Sequence, residues 1–244
     1  MKKFGLVGYP LSHSFSKGYF SEKFEKEKIN DCIYDNYEIE HADELVDILK
    51  DKEIKGLNVT IPHKEAVMKH LDSLHSAAER IGAVNVINVE KDGTVKGYNS
   101  DYFGFLESLK QLLKGDHQLR AFVFGSGGAS KAVLAALEDL KIPFQLVSRK
   151  ATNKAISYEN IDTEAIKSHR LLINTTPLGM SPKVETYPNI PYEAITNKHY
   201  VFDLVYNPAT TLFMQKAINN GAKVKNGLDM LHLQAEKAWE IWNR

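Results

Sequence analysis

The sequence has one cysteine, no excess charge of either sign and no long apolar run. The single thiol, Cys32, cannot form a disulfide within the chain, which favours a reducing compartment. The 31 basic and 31 acidic side chains cancel to a formal net charge of zero, so the charge excess that drives binding to nucleic acid or anionic membranes is missing. The longest stretch without Asp, Glu, Lys or Arg, residues 4–16, is shorter than the roughly 20 residues that span a bilayer. We therefore predict a cytoplasmic protein that binds neither nucleic acid nor membrane.

Short apolar segments alternate with longer helical patterns along the chain, which is typical of α/β proteins with parallel sheets. In the first block, an Asp-Gly pair at 92–93 predicts a β-hairpin, because such turns require positive φ angles. The strands predicted for this block are residues 4–8, 33–39, 56–61, 84–89 and 94–98. The predicted helices are residues 16–28, 42–50, 63–71 and 74–81.

A second α/β block follows. Its predicted strands are residues 120–124, 144–147, 171–173 and 201–205. Its predicted helices are residues 129–140 and 210–219. Two further helices are predicted, one at residues 102–114 before this block and one at the end of the sequence, residues 228–242, where apolar residues recur at spacings of three and four. The proline-containing segment 177–191 is predicted to be loop.

A glycine-rich segment, GSGGAS at 125–130, lies between a predicted strand and a predicted helix. This is the context of a dinucleotide-binding turn, in which Gly125 permits the tight turn and Gly127 lets the pyrophosphate approach backbone N–H groups. The following helix would direct its positive end at the phosphates. Ser130 stands at the third glycine position, so a glycine-rich turn without a ligand remains an alternative.

The strand after this turn ends in Ser148, Arg149 and Lys150, with no acidic residue. NAD-binding proteins usually place Asp or Glu here to bind the ribose 2′-hydroxyl. Arg149 can instead form a forked contact with a 2′-phosphate, and Lys150 adds positive charge beside it. The pattern favours NADP over NAD, and a solvated basic turn is the alternative.

Polar residues in the first block follow the predicted strands. Ser14 and Ser16 precede a predicted helix, where two hydroxyls suit an anion such as a carboxylate, although a serine here can also be a simple N-cap. Asn58 and Thr60 share one face of a strand, and Lys64 lies at the turn after it. Together with Asn85 and with Asp101 at a helix start, they resemble a binding site for a small polyol. No histidine or cysteine spacing indicates a metal site.

Taken together, these segments make the chain resemble the shikimate dehydrogenase family over nearly its full length. The motifs that carry the resemblance are GYPLSHSFS (8–16), NVTIPHK (58–64), GAVNVIN (82–88), GYNSD (97–101), GSGGA (125–129), NTTPLGM (174–180) and GLDMLHLQ (227–234). The resemblance implies two α/β domains with the active site in the cleft between them. Residues 1–100, completed by 226–244, would form the substrate-binding catalytic domain. Residues 101–225 would form a Rossmann-like NADP-binding domain, with the C-terminal helix returning to the first domain.

The activity that the resemblance implies is the reversible NADP-dependent reduction of 3-dehydroshikimate to shikimate, a step of aromatic amino-acid biosynthesis. Lys64 corresponds to the family's catalytic lysine, with Asp101 as its partner. Lys64 could donate the proton or mainly position the substrate. The residues implied to bind substrate are Ser14, Ser16, Asn58, Thr60, Lys64, Asn85, Asp101, Tyr206 and Gln234. The residues implied to bind cofactor are Gly125, Ser126, Gly127, Gly128, Ala129, Ser148, Arg149, Lys150, Leu204 and Gly227.

Two departures from the family pattern are visible. Ser100 stands where the family usually has threonine, which keeps a hydroxyl, and Ser148 stands where it usually has asparagine. The alternatives are a quinate/shikimate dehydrogenase that accepts NAD and a non-catalytic NADP-binding paralogue. The presence of Lys64, Asp101 and Gln234 together argues against the paralogue. A monomer is predicted in preference to a homodimer.

Overall fold

The computed structural model describes residues 1–11, 14–116 and 118–244; Ser12 and His13 of the GYPLSHSFS motif and His117 lie outside the described residues. The chain divides into two units, one of residues 1–100 with 235–244 and one of residues 101–234. Each unit contains its own six-stranded sheet. In the described ranges, no helix is both long enough and apolar enough to cross a membrane.

The sheet of the first unit is mixed, with the strand order β2-β1-β3-β5-β6-β4. Its strands are β1 Lys2–Gly8, β2 Cys32–Glu38, β3 Ile54–Val59, β4 Ser73–Leu74, β5 Val86–Val89 and β6 Val95–Tyr98. β1 pairs in parallel with β2 and β3, whereas β5 is antiparallel to both β3 and β6. The predicted hairpin is therefore confirmed, and Gly93 in its turn has φ +89°.

The helices of the first unit cover both faces of this sheet. They are α1 Phe15–Lys26, α2 Leu45–Ile48 and α3 Ser76–Ile81, with 3-10 turns at Ala42–Glu44 and Ala66–His70. The helix predicted at 63–71 is wrong, since only its second half is helical and only as a 3-10 turn. The carbonyl oxygen of Lys64 accepts a hydrogen bond from Val84 N at 2.8 Å. This oxygen therefore bonds to a neighbouring segment, and it does not serve as an acceptor for the next turn of a helix.

The sheet of the second unit is parallel throughout, with the strand order β12-β11-β10-β7-β8-β9. Its strands are β7 Ala121–Phe124, β8 Phe144–Ser148, β9 Ala155–Ser157, β10 Leu171–Asn174, β11 Tyr200–Asp203 and β12 Lys223–Lys225. Its helices are α4 Ser100–Leu113, α5 Gly128–Asp139, α6 Thr163–Ser168, α7 Leu212–Asn219 and the first half of α8 Leu228–Trp242. The short elements β9, β12 and α6 were not predicted from the sequence.

Helices cover both faces of the second sheet. Side chains of α4 and α5 pack on one face, and those of α6 and α7 pack on the other. The chain moves from β7 to β8 on one side and then returns to β10 on the other side. This reversal is the topological switch point at which doubly wound sheets bind ligands, at the carboxyl ends of their strands.

The second half of α8 packs against the sheet of the first unit. Trp242 is buried among aromatic side chains and stacks on Phe4 with a centroid separation of 4.9 Å. Its indole Nε1 donates a hydrogen bond to the carbonyl of Ile87 at 2.9 Å. The ring lies directly over Gly56 of β3, where a Cβ atom would overlap it. Gly56 is therefore required for the close approach of helix and sheet.

We expect Gly56→Ala to destabilise the protein by about 1–3 kcal/mol, because the added methyl group overpacks the Trp242 contact. Gly18→Ala is the matched control, since a Cβ at this exposed position in α1 would meet no atom. Alanine there should stabilise the helix by about 0.5–1 kcal/mol. Urea unfolding of the three proteins measures both changes, and equal effects of the two substitutions would contradict the packing argument.

Candidate active site

The carboxyl ends of β1, β2 and β3 meet at one edge of the first sheet, because these strands are parallel. β5 runs in the opposite direction, so its beginning lies at this edge, and the end of β6 returns to it. Asn85 immediately precedes β5, and Ser100 follows shortly after β6. The topology therefore collects the polar residues of several separate motifs along one edge.

Asn85 and Ser100 are joined by two hydrogen bonds. The backbone N–H of Ser100 donates to Asn85 Oδ1 at 2.6 Å, and Asn85 Nδ2 donates to Ser100 Oγ at 3.0 Å. Both residues are buried. The hydroxyl at position 100 thus orients the Asn85 amide, which gives a structural reason for a serine or threonine at this position.

Asn58 is held by two groups of the first unit. The phenol of Tyr34 donates to Asn58 Oδ1 at 2.8 Å, and Asn58 Nδ2 donates to the carbonyl of Asn85 at 3.3 Å. The same carbonyl accepts the backbone N–H of Val59 at 2.9 Å. Tyr34 was not among the predicted site residues, because a tyrosine in a strand is most simply interpreted as core.

Thr60 and Lys64 lie just beyond the end of β3. The backbone N–H of Thr60 donates to Val7 at 2.8 Å and its carbonyl accepts from His63 at 3.0 Å, which closes a turn. His63 is buried, and its Nε2 bonds to the carbonyl of Ile39 at 2.8 Å. The bond from Val84 described above fixes the carbonyl of Lys64. These anchors place Lys64 at the polar edge with its side chain half-buried.

Ser14 is the N-cap of α1, where its Oγ accepts the backbone N–H of Lys17 at 3.3 Å. A serine hydroxyl that accepts one hydrogen bond still has its own hydrogen to donate. Ser16 lies in the first turn of the same helix and is partly buried. The capping role and the predicted anion-binding role are therefore compatible.

The other three predicted substrate residues belong to the second unit. Asp101 is buried in the first turn of α4, inside the helix rather than at its cap. Tyr206 follows β11 and is exposed, and Gln234 is half-buried on α8. α4 and α8 approach closely here, since a Cβ on Gly104 would lie 2.5 Å from the carbonyl oxygen of Met230.

The glycine-rich segment forms a turn from β7 into α5. Gly125 has φ +106°, and a Cβ there would lie 2.7 Å from Thr175 Oγ1, so only glycine fits without strain. Gly127 is the N-cap of α5 and has no side chain to bond the helix's first N–H groups. A Cβ at Gly127 or Gly128 would meet open space. The first N–H groups of a helix have no partner within it, and open space beside them makes this helix N-terminus suitable for a phosphate group.

The structure explains how Ser130 is accommodated at the third glycine position of the turn. Its Oγ donates to the carbonyl of Gly127 at 2.6 Å, and the residue is buried in the first turn of α5. The side chain thus folds back onto the turn and does not project into the space beside Gly127. Ser126 and Ala129 complete the turn, with Ser126 exposed.

The basic residues follow β8 at the same edge of the sheet. Ser148 Oγ donates to the carbonyl of Lys150, which tightens the bend. Arg149 and Lys150 are exposed. Within residues 1–11, 14–116 and 118–244, their side chains form no ion pair with an acidic group. The two charges are thus available for a phosphate, and this unit fits NADP.

Leu204 and Gly227 are brought together although they are far apart in the sequence. A Cβ on Gly227 would overlap the carbonyl oxygen of Leu204, and the N–H of Gly227 donates to the carbonyl of Val205 at 3.2 Å. Gly227 therefore allows the segment before α8 to lie against the end of β11. Among the described residues, no group of three or more His, Cys, Asp or Glu side chains could hold a metal ion.

Asp203, at the end of β11, is the centre of a buried network that the sequence did not reveal. Its Oδ1 accepts from Asn174 Nδ2 at 2.9 Å and from Val205 N at 3.0 Å, and its Oδ2 accepts from Thr211 Oγ1 at 2.6 Å. Burial raises the pKa of Asp203 from 3.8 to about 6, although these three donors act in the opposite direction. Asn174 in turn accepts the hydroxyl of Thr176 at 2.6 Å.

This network holds the loops that follow β10 and β11. Thr175, in the first of these loops, donates from Oγ1 to the carbonyl of Phe124 at 2.8 Å, next to the glycine turn. A strand-end aspartate gives no signal in one sequence that distinguishes a loop anchor from a ligand-binding group. Only the contacts identify its structural role.

Comparisons with known proteins agree over both units. A family model described as the shikimate dehydrogenase substrate binding domain matches residues 6–87. The protein named shikimate dehydrogenase (NADP(+)) from Caldanaerobacter subterraneus subsp. tengcongensis is 40% identical, over 99% of this chain and 91% of that protein. The protein of the same name from Clostridium beijerinckii is 41% identical, over 99% of this chain and 92% of that protein.

A solved structure is similar as well. The crystal structure of shikimate 5-dehydrogenase from Thermus thermophilus, in complex with NADP(H) and shikimate, has a TM-score of 0.86 and 30% sequence identity. The similarity covers 99% of this chain and 93% of that one. The predicted fold class of two α/β domains is thereby confirmed.

The raised pKa of Asp203 predicts a characteristic pH dependence of stability. Between about pH 4 and pH 6 the folded protein retains a proton that the unfolded chain has lost, so the free energy of unfolding falls as pH rises through this window. Asp203→Asn removes this titration. The stability of the variant relative to the parent should therefore rise by up to about 3 kcal/mol across the window.

Denaturant unfolding from pH 3 to pH 7 measures this difference. Asp92→Asn is the control of opposite sign, because hydrogen bonds from Thr94 lower the pKa of the exposed Asp92 carboxyl. That substitution should cost relative stability as pH rises from the acid limit. A difference between Asp203→Asn and the parent that stays constant with pH would contradict the assignment.

Proposed function

The chain belongs to the shikimate dehydrogenase family, and from this premise we propose that it catalyses the reversible NADP-dependent reduction of 3-dehydroshikimate to shikimate. The observation that carries the proposal is the position of Lys64. This lysine lies at the polar edge of the first sheet, and the bond from Val84 N ties its backbone to the segment of Asn85. Lysine at a polyol-type site, combined with a dinucleotide-type turn in the same chain, supports an oxidoreductase rather than a binding protein.

The proposed cofactor residues belong to the second unit. The backbone N–H groups of residues 125–129 would hold the pyrophosphate at the N-terminus of α5. Arg149 and Lys150 would bind the 2′-phosphate of NADP, beside the bend formed by Ser148. Leu204 and Gly227 would line the far end of the cofactor. When bound, NADPH supplies the hydride that reduces the ketone of the substrate.

The proposed substrate residues divide by chemistry. The hydroxyls of Ser14 and Ser16 would hold the carboxylate, and amide, hydroxyl and phenol groups would hold the ring hydroxyls: Asn58, Thr60, Asn85, Tyr206 and Gln234. Such neutral donors and acceptors suit a polyol, because they bind hydroxyls without requiring a counter-charge.

Lys64 and Asp101 are the proposed catalytic residues. Reduction of the ketone leaves negative charge on its oxygen, and an ammonium group stabilises that charge. The Lys64 ammonium can also supply the proton that converts the alkoxide to a hydroxyl. Asp101, as the partner of Lys64, would favour the charged form of the lysine. In the reverse direction this pair would accept the proton that the substrate hydroxyl loses.

Lys64→Ala should lower kcat by about 10²–10⁴, because a group that acts in the transition state is removed. Initial rates with shikimate and NADP, followed by NADPH absorbance, measure the change. Lys69→Ala is the matched control: Lys69 is exposed in the next 3-10 turn and pairs with Asp43. Its kcat should stay within about twofold of the parent. A rise in KM with unchanged kcat would make Lys64 a substrate-binding group instead.

Arg149→Ala should raise the KM for NADP by about ten- to a hundred-fold and leave the KM for NAD unchanged, because it removes a charge-assisted contact with the 2′-phosphate. Lys154→Ala removes a nearby exposed charge as a control. Equal losses with NADP and NAD would contradict the 2′-phosphate assignment. Comparable parental rates with quinate or NAD would favour a quinate/shikimate dehydrogenase of broader specificity.

Two further properties stay predictions from the sequence, namely a monomeric state and a cytoplasmic location. Light scattering of the purified protein measures the first, and cell fractionation measures the second.

A further inference from the structure

Tyr34 is a polar group in the middle of an aromatic cluster. It lies on β2, is only 4% exposed, and stacks against Phe20 with a centroid separation of 4.6 Å and an interplanar angle of 14°. Trp242 packs against it with a centroid separation of 6.3 Å. These rings fix the position of the phenol oxygen, which is the one polar atom that the side chain brings to this cluster.

The phenol oxygen faces Asn58, one of the proposed substrate residues. Its hydrogen is donated to Asn58 Oδ1 at 2.8 Å. Burial raises the pKa of Tyr34 above its usual range, while a hydrogen bond with Ser16 acts in the opposite direction. The phenol therefore keeps its proton and remains a donor to Asn58 at neutral pH.

The hydrogen bonds of Asn58 specify which way its amide is turned. An asparagine amide has one oxygen acceptor and two N–H donors. The oxygen faces the Tyr34 phenol, and the nitrogen faces the carbonyl of Asn85 at 3.3 Å. The reversed orientation would place the amide oxygen against the Asn85 carbonyl and leave two acceptors facing each other. Within residues 1–11, 14–116 and 118–244, Asn58 Nδ2 bonds to no other acceptor, so one of its N–H groups remains for a ligand.

We propose that Tyr34 is a positioning residue that sets the Asn58 amide so that it presents an N–H donor to a substrate hydroxyl oxygen. The inference rests on the proposed function, since it concerns how the same polyol is held. Loss of the phenol hydrogen leaves Asn58 Oδ1 buried without its donor, which removes one of the two bonds that define the orientation. Tyr34 makes this contribution through Asn58 and has no proposed contact with the substrate.

Tyr34→Phe tests the proposal because it removes only the hydroxyl. We expect the KM for shikimate to rise about tenfold with kcat within about twofold of the parent, since a binding contact used equally in the ground and transition states is weakened. The dissociation constant for NADP should not change. In an Asn58→Ala background the same substitution should change KM by less than about twofold, because the amide on which it acts is absent.

Tyr98→Phe is the matched control. Its phenol donates to Glu90 at 3.2 Å, so the substitution removes a tyrosine hydroxyl from the same unit away from Asn58. Its KM should equal that of the parent. If Tyr34→Phe unfolds, the Tyr34→Phe and Asn58→Ala variants and their combination are remade with the added substitution Gly18→Ala, which stabilises α1.

The outcomes separate the inference from the function on which it rests. No turnover of shikimate by the parent protein would overturn the proposed function itself. With an active parent, an unchanged KM in Tyr34→Phe would overturn the positioning role. The same holds if KM rises equally in the parent and Asn58→Ala backgrounds. A fall in kcat alone would indicate a smaller folded fraction and would equally contradict the proposal.

Discussion

The packing of Trp242 on Gly56 is the contact on which the first unit depends. It joins the end of α8 to the middle of β3, so the last residues of the chain complete a core that begins at Phe4. The same aromatic cluster holds the ring of Tyr34, and Tyr34 holds the amide of Asn58. An apolar contact between distant parts of the chain therefore determines the geometry of a polar group at the edge of the sheet. Directional hydrogen bonds are useful for recognition only when their donors are fixed in this way.

In the second unit, a buried polar network holds the loops that follow β10 and β11. Asp203 connects the ends of β10 and β11 with the N-cap of α7, and its three donors satisfy both carboxylate oxygens. Burial of this carboxylate raises its pKa and costs stability at neutral pH. In return, the loops beside the glycine turn have defined positions. In both units, buried groups hold in place the residues that would contact ligands. In the first unit aromatic packing fixes Tyr34, and in the second unit hydrogen bonds fix Asp203.

Most long elements could be predicted from periodicity and turn residues alone. The helix at Leu228–Trp242 and the hairpin around Gly93 follow from patterns within about 15 residues. The three-residue strands β9 and β12 could not be predicted, because such short edge strands are defined by pairing with β8 and β11 and have little pattern of their own. The segment after Pro62, residues 63–71, is predicted to be a helix and does not form an α-helix. A tertiary hydrogen bond from Val84 to Lys64 prevails there over helix propensity.

The sequence by itself determined the chemistry available: the glycine turn at 125–129, the basic pair after β8, and the serines, amides and lysine of the first block. These are properties of residue type and local order, which short-range steric and charge preferences encode. Only the tertiary structure decided which groups hold those residues in place. The roles of Tyr34 and Asp203 are invisible in the sequence, because Tyr34 acts through Asn58, 24 positions away, and Asp203 is held by Asn174, 29 positions away. Long-range pairing makes those contacts, so a local pattern cannot contain them.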